Sequence, residues 1–153
     1  MDLRFKIKNF SPPKDFFGDF PEENHWLSSR FKVNVKFKSI QDWDKNYNGF
    51  LFDTGAYVSI APDYILEFLK IKPEYVGFVH GIIDKKECKM KTKVANITFK
   101  LIDNDGKESS ELQGWFAFHS LNIGPLLLGM NGIFQKLGIT KEPDSDQITL
   151  KTA

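Results

Sequence analysis

Phe31, Val33, Val35 and Phe37 alternate with Lys32, Asn34, Lys36 and Lys38, an apolar–polar period of two. Successive side chains of a strand point to opposite faces, so this run is amphipathic only as a strand with one wet face. A helix would scatter the same apolar positions around its circumference. The period returns in Ile97, Phe99 and Leu101, set against Thr98 and Lys100. The supply of aromatics agrees, because 15 Phe in 153 residues favour strands and large buried contacts.

Shorter elements surround these two runs. Residues 39–48 make a polar connection ending in Asn48-Gly49, a hairpin-type turn signal, and residues 49–52 then form a short apolar strand. Pro62 suits a first helical turn, and Ile65, Leu66, Phe68 and Leu69 give a short amphipathic helix after it. Residues 75–101 hold two or more strands, and Asp105-Gly106 marks the next turn. Residues 115–118 and 147–150 are further strands, with a buried one at 126–128. Ile133, Phe134 and Leu137 predict a second short helix stopped by Gly138. Many short strands with two small helices predict a mostly β domain, closed as a barrel or stacked as a sandwich.

The first 29 residues differ from the rest. Ser11-Pro-Pro13, Gly18 and Pro21 break any helix or central strand, yet Phe5, Phe10, Phe16, Phe17, Phe20 and Trp26 are interspersed. So much aromatic surface predicts an ordered arm over residues 1–29, with Phe10, Phe16, Phe17 and Trp26 largely buried, and one domain over 30–153.

Composition removes several classes of function. With 41% hydrophobic residues the chain is not disordered, and 21 Lys+Arg against 20 Asp+Glu advertise no nucleic-acid partner. Lys85, Lys86, Lys89, Lys91 and Lys93 interleave with Met90, Thr92 and Val94, the pattern of a solvated strand face. A single cysteine, Cys88, excludes an internal disulfide, and His25, His80 and His119 are too scattered for a zinc-hydrolase motif. No cofactor or metal is expected. The opening residues mix charges into every short window, and the run 126–128 is far short of the roughly 20 residues a membrane span needs. A cytoplasmic protein without membrane contact is the expectation.

The chemistry-bearing motif is Phe52-Asp53-Thr54-Gly55-Ala56, directly after an apolar strand. A second element, Leu126-Leu-Leu-Gly129-Met-Asn131, lies far downstream. Together they resemble the retropepsin-like aspartic proteases, from about Trp26 to Leu150. The resemblance implies a closed β fold whose active site lies at a homodimer interface, acting on a polypeptide substrate. It assigns Asp53, Thr54 and Gly55 to catalysis: Asp53 supplies one of two carboxylates that activate water, Thr54 holds two such loops in register, and Gly55 permits close backbone approach. Ala56 leaves room for a substrate side chain. The segment Gly77, Phe78, Val79, His80 and Gly81 has the position of a flap that closes over substrate.

The chain has one Asp-Thr-Gly, and no second copy is found: residues 129–131 lack the acid, and residues 103–106 have another order. The second carboxylate must then come from another copy of the chain, most simply across a twofold axis. Two positions depart from the family pattern. Tyr57 stands where relatives carry a polar or acidic residue and Met130 where they carry Arg, so packing is expected to replace an ion pair there. The alternative reading is a catalytically inactive module of the same fold, used for dimerisation or peptide binding.

Overall fold

The computed structural model describes residues 2–12, 14–25, 28–44, 48–53, 55–79, 89–121, 126–133 and 135–152. It opens with β1 (Asp2–Lys6), β2 (Lys8–Phe10), α1 (Lys14–Phe17), a 3-10 turn at Glu22–Asn24 and β3 (Ser28–Arg30). Next come β4 (Lys32–Phe37), β5 (Asn48–Phe52), β6 (Ser59–Pro62), α2 (Asp63–Leu69), β7 (Tyr75–Val79) and β8 (Met90–Ile102). The chain closes with β9 (Leu112–His119), β10 (Leu127–Leu128), β11 (Leu137–Thr140) and β12 (Gln147–Thr152).

Six strands close on themselves in the order β4, β5, β10, β6, β9, β8, and β8 returns to β4 with Val35 opposite Leu101 and Phe37 opposite Phe99. The mostly β, closed-barrel architecture is therefore formed, and closure removes sheet edges that would otherwise be open to pairing. β7 stands outside the ring on β8 as an edge strand. The alternation that marked β4 is realised: Val33, Val35 and Phe37 are fully buried, while Lys32 and Lys38 are exposed. Inside the barrel Phe116 meets Phe37 and Phe99 edge-on, at 5.5 and 5.4 Å between ring centroids. Edge-to-face contacts of this kind are the favoured arrangement for a ring's quadrupole.

β8 serves two faces in succession. Met90, Thr92 and Val94 are buried, and then Ala95, Ile97, Phe99 and Leu101, so the buried parity shifts between Val94 and Ala95. The second set belongs to the main core cluster, and the first does not. Lys89, Lys91 and Lys93 are exposed between them; Lys85, Lys86 and Cys88 lie outside the described residues.

Four expectations are corrected. Asn48-Gly49 does not form a turn: the strand expected from Gly49 begins one residue earlier, with Asn48 and Gly49 paired to Val35 and Asn34, because the ladder with β4 extends that far and satisfies their backbone. In α2, Ile65, Leu66 and Leu69 are buried, but Phe68 is 67% exposed. At ~100° per residue the first three share one stripe, and Phe68 falls beyond its edge. The predicted helix at 133–137 is a single turn, with Lys136 and Leu137 N–H both donating to the Ile133 carbonyl. Leu137 is buried and opens β11, and Gly138 sits in that strand opposite Lys151, because β12 offers a ladder partner there; Phe134 lies outside the described residues. The second short helix is instead α1, in the N-terminal segment.

That segment is built into the domain at its start. β1 pairs with β12, and Leu3 and Phe5 are buried in the core. β2 and β3 form a hairpin with Lys8 opposite Arg30. Phe16, expected to be buried, is 64% exposed, since a helix of four residues can turn only one face inward. Trp26 and the side chains of Phe10 and Phe17 lie outside the described residues. Among the described residues, no helix is long and apolar enough to cross a membrane.

Candidate active site

Asp53 emerges from the end of β5, and its position is fixed from two sides. Before it, Phe52 donates its N–H to the Phe31 carbonyl at 3.1 Å, and the two rings stack at 4.8 Å. Across from it, β10 runs parallel to β5, with Leu127 opposite Leu51 and Leu128 opposite Phe52, and antiparallel to β6, with Leu127 opposite Ile60. The strands before and after the Asp53 loop therefore flank β10 on either side. Asp53 N–H donates to the Leu128 carbonyl at 2.9 Å, and the Ala56 carbonyl accepts from Met130 N–H at 2.9 Å. The loop is thus bonded to the Leu-Leu-Gly element at both ends.

Within the loop, Gly55 N–H donates to Asp53 Oδ1 at 2.9 Å, and Ala56 N–H donates to the Asp53 carbonyl at 3.3 Å. An Asp side chain that bonds the backbone two residues on is the usual way this residue makes a tight turn. Here it also orients the carboxylate. Asp53 is half-buried and Gly55 exposed. Thr54, expected to hold two loops in register, lies outside the described residues.

The distal element carries its own requirements. Ser59 Oγ accepts from Gly129 N–H at 3.0 Å, and both residues are buried. Asn131 Oδ1 accepts from Trp115 N–H at 2.9 Å, which ties the turn after Gly129 to β9. Gly132 has φ +79°, and a Cβ there would overlap the Gln113 carbonyl oxygen, so the turn needs glycine for both conformation and space. Of the two departures from the family pattern, Met130 is 8% exposed and joins the core cluster, whereas Tyr57 is 77% exposed. The packing expected in place of an ion pair is found at Met130 and not at Tyr57.

The structure does not bring all the expected site residues together. Asp53, Gly55 and Ala56 share one loop. Gly77, Phe78 and Val79 lie on β7, opposite Thr92, Lys91 and Met90, and reach the ring only through β8. Phe78 is 59% exposed. His80 and Gly81 lie outside the described residues. Among the concavities of the described surface are three of about 500, 480 and 550 Å³ whose linings do not include Asp53. Among the described residues, no three His, Cys, Asp or Glu side chains gather as metal ligands.

Two polar side chains in the fold carry no signal in the sequence. Thr92 and His119 face each other across β8 and β9, both essentially inaccessible, and Thr92 Oγ1 and His119 Nε2 have no hydrogen-bond partner among the described residues. His119 Nδ1 accepts from Leu121 N–H at 3.3 Å, which leaves the ring proton on Nε2. Ser59 is equally silent in the sequence, a small hydroxyl inside an apolar strand. Its role appears only once β10 is threaded beside β6.

No protein-family model matches the chain, and no curated protein matches it. Among solved structures it is similar to a retropepsin-like aspartic protease from Rickettsia conorii, at 16% identity and a TM-score of 0.47, over 98% of this chain and 92% of that one.

Proposed function

We propose that this chain is an aspartic endopeptidase that works as a homodimer, each copy contributing one Asp53. The observation that carries the reading is the bonding of the Asp53 loop to the Leu-Leu-Gly element. Asp53 N–H to the Leu128 carbonyl and Met130 N–H to the Ala56 carbonyl hold a half-buried carboxylate at the end of a closed barrel.

Two carboxylates placed a few ångströms apart share one proton, since both cannot ionise cheaply. The ionised Asp53 takes a proton from water, and the oxygen attacks the peptide carbonyl carbon. The protonated Asp53 gives its proton to the carbonyl oxygen. The tetrahedral diol then collapses as the Asp53 that took the proton from water passes it to the amide nitrogen, the C–N bond breaks, and a diol hydroxyl returns its proton to the other Asp53. Thr54 and Gly55 complete the catalytic loop, and Ala56 borders the substrate. Gly77, Phe78, Val79, His80 and Gly81 close over it, with the extended peptide adding main-chain hydrogen bonds at strand edges. The peptidase unit is residues 30–153, with 1–29 anchored on it through β1.

Asp53→Asn is the test, because the amide is nearly isosteric but neither takes up nor shares the proton. Cleavage of a peptide library by the wild-type chain should vanish in the variant while its melting temperature and dimer mass stay unchanged. Equal cleavage by both would end the reading. A wild-type dimer that binds peptides and cuts none would favour the inactive module.

A further inference from the structure

A cleft of about 480 Å³ opens between β1, the β2–β3 hairpin and the β4–β5 hairpin. Its size is that of a binding site, within the range of roughly 300–1,000 Å³ that ligand pockets occupy. Four cations line it, one from each of four strands: Lys6, Lys8, Arg30 and Lys32. Asp105 is the single carboxylate in its lining. Lys8 and Arg30 are cross-strand partners, a placement in which like charges destabilise a sheet. Among the described residues none of the four joins an ion pair; those pairs use Lys36, Lys38, Lys93 and Lys100. Acidic and basic residues are nearly equal in number over the whole chain, so this local excess of positive charge does not follow from composition.

The cleft borders the strand that ends at the Asp53 loop. Leu51 lies in it, opposite Lys32 on the neighbouring strand, and precedes Asp53 by two residues. Phe31 also lines it, with its ring stacked on Phe52.

We propose that this cleft is a subsite for an acidic stretch of the polypeptide substrate, flanking the bond cut at Asp53. It rests on the peptidase reading above and names the class of peptide that site takes. A peptide advancing ~3.3 Å per residue covers the step from Asp53 to Leu51 in about two residues, which places the Asp or Glu side chains about two to five residues from the scissile bond. Arg30 offers a planar fork that matches a carboxylate, and the three lysines set the field that attracts it. Nucleic acid suits the cleft less well. Phe31, the one aromatic ring in the lining, is 7% exposed and presents no platform for base stacking.

The test reads binding apart from cleavage. The full-length Asp53→Asn protein is titrated with a fluorescein-labelled peptide carrying four Glu residues, with the same peptide carrying Gln, and with a labelled oligothymidine. The Glu peptide should bind roughly tenfold tighter than the Gln peptide at low salt, with the contrast shrinking as screening rises. Adding Lys8→Glu and Arg30→Glu should abolish it, and the neutral Lys8→Gln and Arg30→Gln pair should reduce it, with melting temperatures confirming that both variants fold. Equal affinity for the Glu and Gln peptides, a contrast that survives charge reversal, or binding of the oligothymidine alone would each overturn the proposal. Preferential binding of the Glu peptide beside a wild-type chain that cuts nothing would sink the peptidase reading and leave the basic cleft standing as a site for acidic peptides. Cleavage by the wild type without any preference for the Glu peptide would do the reverse.

Discussion

Gly129 is seated directly on the backbone of Val58. A Cβ at Gly129 would overlap the Val58 carbonyl oxygen and stand 2.7 Å from the carbonyl oxygen of Ala56. Neither obstacle is a flexible side chain, so neither can swing aside. This contact lets the Leu-Leu-Gly element come close enough to hydrogen-bond the Asp53 loop.

Gly129→Ala should therefore destabilise the fold by about 2–3 kcal/mol, the upper range for overpacking a close-packed interior. Urea denaturation measures it. A change within 0.5 kcal/mol, the usual size of a neutral surface substitution, would mean that the two loops separate freely.

Ser59→Ala addresses the same junction from the other side. It removes the acceptor of the Gly129 N–H and leaves a buried donor unpaired, at a cost of about 1–3 kcal/mol. Ser59→Thr keeps the oxygen and should recover part of the loss. Thermal melts of the three proteins would show the order, and an alanine variant as stable as wild type would remove this bond from the account.

Much of the fold is legible in the sequence because strand periodicity is local. β4 and the inner half of β8 can be read from alternate residues alone, and α2 does start beside Pro62, although Pro62 itself, with φ −65° and ψ 146°, is the extended last residue of β6 and not part of the first helical turn. The Asp53 loop is legible for a related reason, since its turn is made by Asp53, Gly55 and a short apolar strand adjacent in sequence. What escaped depends on distant partners. Leu137 looks helical until β12 is placed beside it, and Phe68 looks buried until the helix is docked. Lys6, Lys8, Arg30 and Lys32 are merely scattered cations until two hairpins and β1 enclose one space. The phase shift between Val94 and Ala95 reflects which face of β8 the rest of the fold covers, which a period-two count cannot contain.

Glu108 bridges two strands of the barrel seam. Its carboxylate accepts from Lys36 on β4 at 2.9 Å and from Lys100 on β8 at 3.1 Å. The hydrogen bond from Lys36, then that from Lys100, holds its carboxyl below the usual carboxylate range. A lowered folded-state pKa contributes stability above the unfolded value and loses it as pH falls through the folded value. Because the side chain is about a third exposed, solvent screens the gain, and Glu108→Gln should cost under about 1 kcal/mol at neutral pH. The difference between wild type and variant should shrink as pH drops through the carboxylate range, and in high salt. A difference that persists in acid would assign the effect to packing.

Sharing one dyad between two chains has a kinetic signature. Activity per chain should fall on dilution below the dimer dissociation constant, and added Asp53→Asn chains should poison the wild type by forming mixed dimers. With an equal amount of the variant, random pairing leaves about a quarter of the dimers with two intact acids. Wild-type activity undiminished by the variant would mean that each chain acts alone.

The pairing of β1 with β12 also bears on how the chain is made. Phe5 lies opposite Ile148 and Leu3 opposite Leu150, so these core residues, once synthesised, wait for partners that follow far later in the chain. Until then Leu3 and Phe5 have no sheet to enter, and the β4–β8 closure must likewise await residues near Leu101. Contacts so remote in sequence slow folding, because loop entropy is lost before any contact energy returns. Until those partners follow, the growing domain stays open with apolar strand faces bare, and a ribosome-bound chaperone is the natural occupant of that interval.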